Sequence, residues 1–222
     1  MRILIQTLIL LLLISCKNSD KSTSPAAPSS KIATVDTLVK DPITSSSIPE
    51  VLKNVKDIKK EYEYVASKIK SHNLDSTSFS YNCNEERKGT VVYFFENKAL
   101  RMIRHTYSEY SHFSATDSYF VKDSAAFFVY YNRISWSFDP QGKGTSETRD
   151  DITENRFYII NNKPIKCLEK KFVVRSADLN KPTPNSVANK EIACTSIQLL
   201  LQKFQLLAKY KTQKKNIACL ED

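Results

Sequence analysis

Tyr119-Phe120-Val121-Lys122-Asp123-Ser124-Ala125-Ala126 decides the fold. Two aromatic residues and a valine run into a short polar step, and a second apolar run leaves it. The pattern recurs at Tyr93-Phe94-Phe95-Glu96-Asn97-Lys98-Ala99-Leu100 and at Tyr158-Ile159-Ile160-Asn161-Asn162-Lys163-Pro164-Ile165. Each copy reads as a strand, a two-residue turn and a second strand. Asn or Asp stands first in the turn because it tolerates the left-handed backbone of a tight hairpin. Three hairpins in series predict an antiparallel meander of about six strands over 79–174. Two longer connections separate them. One lies around Glu109–Ser114, and the other, Asp139–Asp150, holds Gly142 and Gly144.

The strand after the second turn carries the clearest alternation. Ala126, Phe128, Tyr130, Ile134, Trp136 and Phe138 share one face at period two, with Asn132 the exception, and that face is expected in a core. The other face begins as Phe127, Val129, Tyr131 and continues as Arg133, Ser135, Ser137. It turns polar halfway, so part of it is expected to meet water. Aromatic and arginine side chains together suit a binding face, for which Tyr107, Tyr110, Tyr131 and Arg133 are the candidates.

Helices flank the strands. Ser47-Ile48-Pro49-Glu50 has the form of a capping box with proline in the first turn. A stripe follows at Val51, Val55, Ile58, Tyr62, Val65 and Ile69. A second helix is expected over about 187–210, with Ala193, Ile197, Leu200, Phe204 and Leu207 as its stripe. The fold class is therefore α+β: a meander with an N-terminal and a C-terminal amphipathic helix packed on it. The aromatic, turn, apolar repeat resembles the repeats of MORN-type and related β-meander proteins of bacterial envelopes. Those normally carry glycine at the turn, where this chain has lysine, serine or asparagine.

The N-terminus supplies an address. Arg2 precedes an apolar run from Ile3 to Ile14, which ends at Leu13-Ile14-Ser15-Cys16. A basic start, a short apolar core and a small residue before the cut form a secretory signal. Twelve residues of helix reach roughly 18 Å, too short for a bilayer core of about 30 Å. The last four residues resemble the lipobox of bacterial lipoproteins. The resemblance implies cleavage of residues 1–15 and acylation of Cys16, so that the lipid bilayer is the first partner. Lys17 follows, where aspartate in that family marks inner-membrane retention, so the expected place is the outer membrane of the cell envelope. Residues 16–46, rich in Ser, Thr, Lys and Pro, read as a disordered tether. One domain is expected over 47–222.

Once Cys16 is assigned to lipid, Cys83, Cys167, Cys194 and Cys219 remain. An even number in an oxidising compartment predicts two disulfides. Three pairings are open; Cys83–Cys167 with Cys194–Cys219 is the expectation, the second pair pinning the C-terminal tail. The chain carries 33 Lys and Arg against 24 Asp and Glu, a net charge of +9. The charge is spread rather than gathered, which argues against nucleic acid and leaves anionic lipid or glycan surfaces as possible contacts.

Chemistry is sparse. Three glycines, at 89, 142 and 144, weaken any phosphate-loop or dinucleotide-loop reading. No G-x-S-x-G or H-E-x-x-H occurs, no cofactor is implied, and no metal site is assigned. His105, Glu109 and His112 could serve zinc only if a turn brought them together. Glu147, Asp150, Asp151 and Glu154 form an acidic cluster. The expected function is a non-catalytic binding or accessory module that meets an envelope protein or glycan. The alternatives are an envelope hydrolase using the acidic cluster, or an inhibitor or immunity protein.

Overall fold

All three turns form in the computed structural model, which describes residues 49–220 except 143, 145 and 196. The pairs Asn97-Lys98, Asp123-Ser124 and Asn161-Asn162 have φ between 50° and 67°, as a type I′ turn requires at both central positions. Each hairpin then repeats one irregularity. Register shifts after Phe94, Phe120 and Tyr158, and leaves Arg101, Phe127 and Ile165 as the extra residues, each three beyond its turn. A bulge of this kind sharpens the local twist.

The meander has eight strands, not about six: β1 (Asp75–Cys83), β2 (Arg87–Glu96), β3 (Ala99–Glu109), β4 (Phe113–Lys122), β5 (Ala125–Phe138), β6 (Thr148–Ile160), β7 (Lys163–Arg175) and β8 (Lys190–Glu191). They lie in sequence order in one antiparallel sheet. β1 begins with the polar run Asp75-Ser76-Thr77-Ser78, which has no alternation to announce a strand; pairing with β2 makes it one.

Helix α1 (Val55–Lys70) starts later than the capping-box motif implies. Pro49 and Glu50 are not helical, and Ser47 and Ile48 lie outside the described residues. The cap is Asn54, whose side chain accepts from the N–H groups of Lys56 at 2.9 Å and Asp57 at 3.1 Å. The Asp57 carboxylate accepts the Lys53 N–H at 3.0 Å in return. Helix α2 (Ile197–Lys209) is shorter than the expected 187–210. Ala193 and Cys194 stay out of it because the preceding segment adds β8 to β7, with the Ile192 N–H donating to the Cys167 carbonyl at 3.0 Å.

The helices cover opposite faces of the sheet. Leu200, Phe204 and Leu207 of α2 join Phe79, Tyr93, Ile103, Tyr119, Val129 and Ile159 in one core cluster. Ile58 and Val65 of α1 join Met102, Phe120, Phe127, Phe128 and Tyr158 in another. The bulge at Phe127 puts Ala126 on the α2 face while Phe128 faces α1, so the expected single face of β5 is divided. Beyond Tyr130 that face leaves the core, and Phe138 is 63% exposed.

The disulfides are Cys83–Cys219, with Cα atoms 4.7 Å apart, and Cys167–Cys194, at 5.4 Å. Two bridges form, but the expected partners are exchanged. Cys83 ends β1 and Cys167 lies in β7, six strand spacings or roughly 29 Å away, far beyond the reach of a bridge. The two bonds instead fasten the segments on either side of α2 to opposite margins of the sheet. The tail also bonds β1 through Ile217 N–H to Ser80 O at 3.1 Å and Asn82 N–H to Ala218 O at 3.1 Å.

Candidate functional site

The α2 face holds a buried polar network. Asp117 on β4 is fully buried, with Arg133 at 3.4 Å, Lys203 of α2 at 3.7 Å, and the Tyr107 hydroxyl at 3.5 Å. Burial raises the Asp117 pKa, and the two cations oppose that rise without cancelling it. Next to it, Tyr81 Oη and His105 Nε2 lie 2.8 Å apart, and the Tyr107 ring stacks on His105. Burial first, then the positive charges of Lys203 and Arg87, push His105 down to about 3, so it is neutral. Gly89 makes this approach possible: a Cβ there would stand 2.8 Å from Tyr81 Oη and 2.9 Å from Tyr107 Cβ.

Two of the four expected binding residues are therefore covered. Tyr107 and Tyr131 are 6% and 7% exposed beneath α2, so the open sheet face expected there is closed. Tyr131 and Arg133 do reach a cleft of about 430 Å³ beside α2, with Asn155, Glu169 and Lys203. Tyr110 stands apart, 73% exposed in the β3–β4 turn. Cys16 lies outside the described residues.

The histidine trio does not converge. His105 is buried against Tyr81, Glu109 pairs with Arg87 at 3.3 Å, and His112 lies on Trp136 with ring centroids 4.1 Å apart. The described residues contain no cluster that could hold a metal ion. The acidic cluster is divided by the strand alternation. Asp150 and Glu154 face α1, whereas Asp151 lies on the other side and pairs with Arg149. Two adjacent carboxylates on opposite faces cannot work on one bond.

The larger cleft, of about 550 Å³, lies on the α1 face. Tyr62 and Lys59 of α1 form one wall; Phe128, Tyr130 and Tyr158 of the sheet form the base; Pro184 and Asn185, in the segment between β7 and β8, close the far side. Its polar floor is Asn132, Glu154 and Arg156. Glu154, 1% exposed, receives Arg156 at 2.8 Å and Lys170 at 3.8 Å, and the Lys170 ammonium donates to the Pro184 carbonyl. Arg156 also lies over the Tyr130 ring at 4.9 Å and donates to Asn189 at 2.9 Å. Burial and a hydrogen bond to Glu154 hold the Tyr130 phenol above its usual range. The buried Oδ1 of Asn132 has no hydrogen-bond partner among the described residues. Such an aromatic basin with a fixed polar floor and an unused acceptor can orient a ligand.

The sequence carried one signal for this site, the polar Asn132 interrupting an apolar face. It has no sign of α1 and the β7–β8 segment meeting there, since that is long-range packing. No protein-family model, no curated protein and no solved structure matches the chain.

Proposed function

We propose that the protein is a lipid-anchored, extracytoplasmic binding module of the cell envelope, held through Cys16, and that it takes its ligand in the α1-side cleft. The observation that supports binding is the Asn132–Glu154–Arg156 floor under the Tyr62, Tyr130 and Tyr158 rings. Its charges are already neutralised by one another, so the site presents hydrogen bonds and ring surface rather than a reactive group. That favours recognition over hydrolysis. No helix among the described residues is long and apolar enough to cross a membrane, which is compatible with an acyl anchor. The four remaining cysteines form two bridges, as suits an oxidising compartment.

The anchor is tested by Cys16→Ala, which releases the protein from membranes; a variant still bound overturns it. The binding site is tested by affinity capture from envelope extract with the purified full chain. Tyr130→Ala and Asn132→Ala are expected to lose the component that the unaltered chain retains. Equal capture by these variants would place the site elsewhere.

A further inference from the structure

The cleft opens onto a row of polar side chains that crosses the sheet. Directly paired residues on this face read Ser80, Thr90, Thr106, Thr116, Asn132, Glu154 and Lys170, one from each of β1 to β7. At about 4.8 Å per strand the row is roughly 29 Å long. Two hydroxyl contacts lie along it, Ser80–Thr90 at 2.8 Å and Thr106–Thr116 at 3.4 Å. Beside it runs Asn82, Lys88, Ser108 and Ser114, and this part of the face forms a shallow depression of about 470 Å³. α1 does not reach so far, since its buried contacts stop at Met102, Phe120, Phe128 and Tyr158.

Charge on this open half is not balanced. Glu154 is occupied by Arg156 and Lys170. Lys59 at the cleft mouth, and Lys88 and Arg104 on β2 and β3, have no acidic partner among the described residues; the Arg104 guanidinium only covers the Phe94 ring, at 5.3 Å. Of the acids on this face without an ion-pair partner among the described residues, Glu63 lines the cleft, Asp150 lies opposite Trp136, and Glu85 accepts from the Asn82 side chain beside the row, so Lys88 and Arg104 leave the open half one cation in excess. Hydroxyl and amide groups in a line, the partly exposed Tyr62 ring at the cleft, and Lys88 and Arg104 flanking the line complement one kind of partner. A sugar ring would lie on Tyr62, its hydroxyls on the Ser/Thr row, and its carboxylates against Lys88 and Arg104.

We infer that the open half of the α1 face binds a linear acidic polysaccharide, with one end of the glycan in the Tyr62–Tyr130–Asn132 cleft and the chain continuing along the Thr116–Thr106–Thr90–Ser80 row. The inference rests on the binding-module reading above and adds the ligand class.

The probe is immobilised polygalacturonate, with neutral maltoheptaose as comparator, and the purified full chain as the protein. Retention on the acidic polymer is expected to fall as salt rises, because Lys88 is exposed and Arg104 is only half-buried. The Lys88→Ala/Arg104→Ala double variant is expected to bind about tenfold more weakly, or worse, as befits the loss of charge-assisted hydrogen bonds. Lys211→Ala/Lys214→Ala removes the same charge from the tail and is expected to leave retention unchanged. Equal weakening by both pairs would reduce the effect to net charge and overturn the inference. So would absence of retention, or equal retention on the neutral oligomer. If polysaccharide binding fails while Tyr130→Ala still abolishes capture of an envelope component, the binding-module reading stands and the ligand is of another class, protein included. If Tyr130→Ala changes neither, both fall.

Discussion

The two helices are held by different means. α2 is bracketed by covalent bonds: Cys194 ties its approach to β7, and Cys219 ties the segment after it to β1. Beneath it the face is closed, with Tyr93 Oη donating to the Leu207 carbonyl at 2.8 Å and Leu220 of the tail 2% exposed. α1 has no covalent staple. Its fully buried Glu61 receives Arg101 and, at 3.1 Å, Lys122; Tyr64 donates to Glu96 at 2.5 Å, and Lys68 pairs with Glu96 at 3.4 Å. Burial opposes the charge on Glu96, but its hydrogen bonds with Tyr64 and Lys68 and the nearby Arg101 hold its pKa below the usual range. The lesson is a division of labour: one face sealed and cross-linked, the other held by charge and half open.

The difference is broken most strongly at the bridges. Cys83→Ser/Cys219→Ser frees a separation of 136 residues and Cys167→Ser/Cys194→Ser one of 27. Loop-closure entropy predicts losses of about 5 and about 3.5 kcal/mol respectively. Denaturant midpoints check the order, and hydrogen exchange should show the loss concentrated at α2 while α1 keeps its protection.

Asp117→Ala leaves the buried side of Arg133 and Lys203 without its carboxylate and is expected to cost about 3–5 kcal/mol. The same change at Glu61 should cost a similar amount but release α1 rather than α2. Exchange protection read helix by helix distinguishes them, and equal loosening of both helices would break the division.

Acid acts on the sealed face first. The unfolded chain binds a proton at His105 near pH 6.5, and the folded protein does not until about pH 3. Stability from this residue is complete above pH 6.5 and is lost as pH falls toward 3, on the order of 5 kcal/mol at most. Asp117, raised by burial, works in the opposite sense and reduces the net slope. His105→Leu should flatten the dependence between pH 6.5 and 3; an unchanged slope would reject the assignment. The smallest effect belongs to the open face. Thr116→Val keeps the shape, removes one cross-strand hydroxyl contact, and should change stability by less than about 0.5 kcal/mol.

What the sequence made legible follows the same split between local and distant causes. The turns at Asn97, Asp123 and Asn161 were readable because two residues determine them. α1 was readable from its stripe, although its cap at Asn54 was masked by the stronger-looking Ser47–Glu50 motif. β1 was not readable, because its first four residues gain strand character only from β2. The face each helix takes, the exchange of disulfide partners, and the meeting of Tyr62 with Asn132 depend on contacts between residues far apart in sequence. Glu154 was visible as part of an acidic cluster, but its neutralisation by Arg156 and Lys170 required the register of β6 with β7.

The Cys83–Cys219 bridge also sets how the protein answers a mechanical pull between its ends. Chain between the bridged cysteines cannot lengthen, so from residue 49 only the stretch up to residue 83 can pay out, at most roughly 120 Å. With both bridges reduced, the same pull would draw out roughly 600 Å between residues 49 and 220. The extensible stretch contains α1 and the whole of β1, an edge strand paired with β2. Tension would thus peel the helix and then the edge strand β1 as far as Cys83, leaving the sheet from β2 onward within the bridged loop.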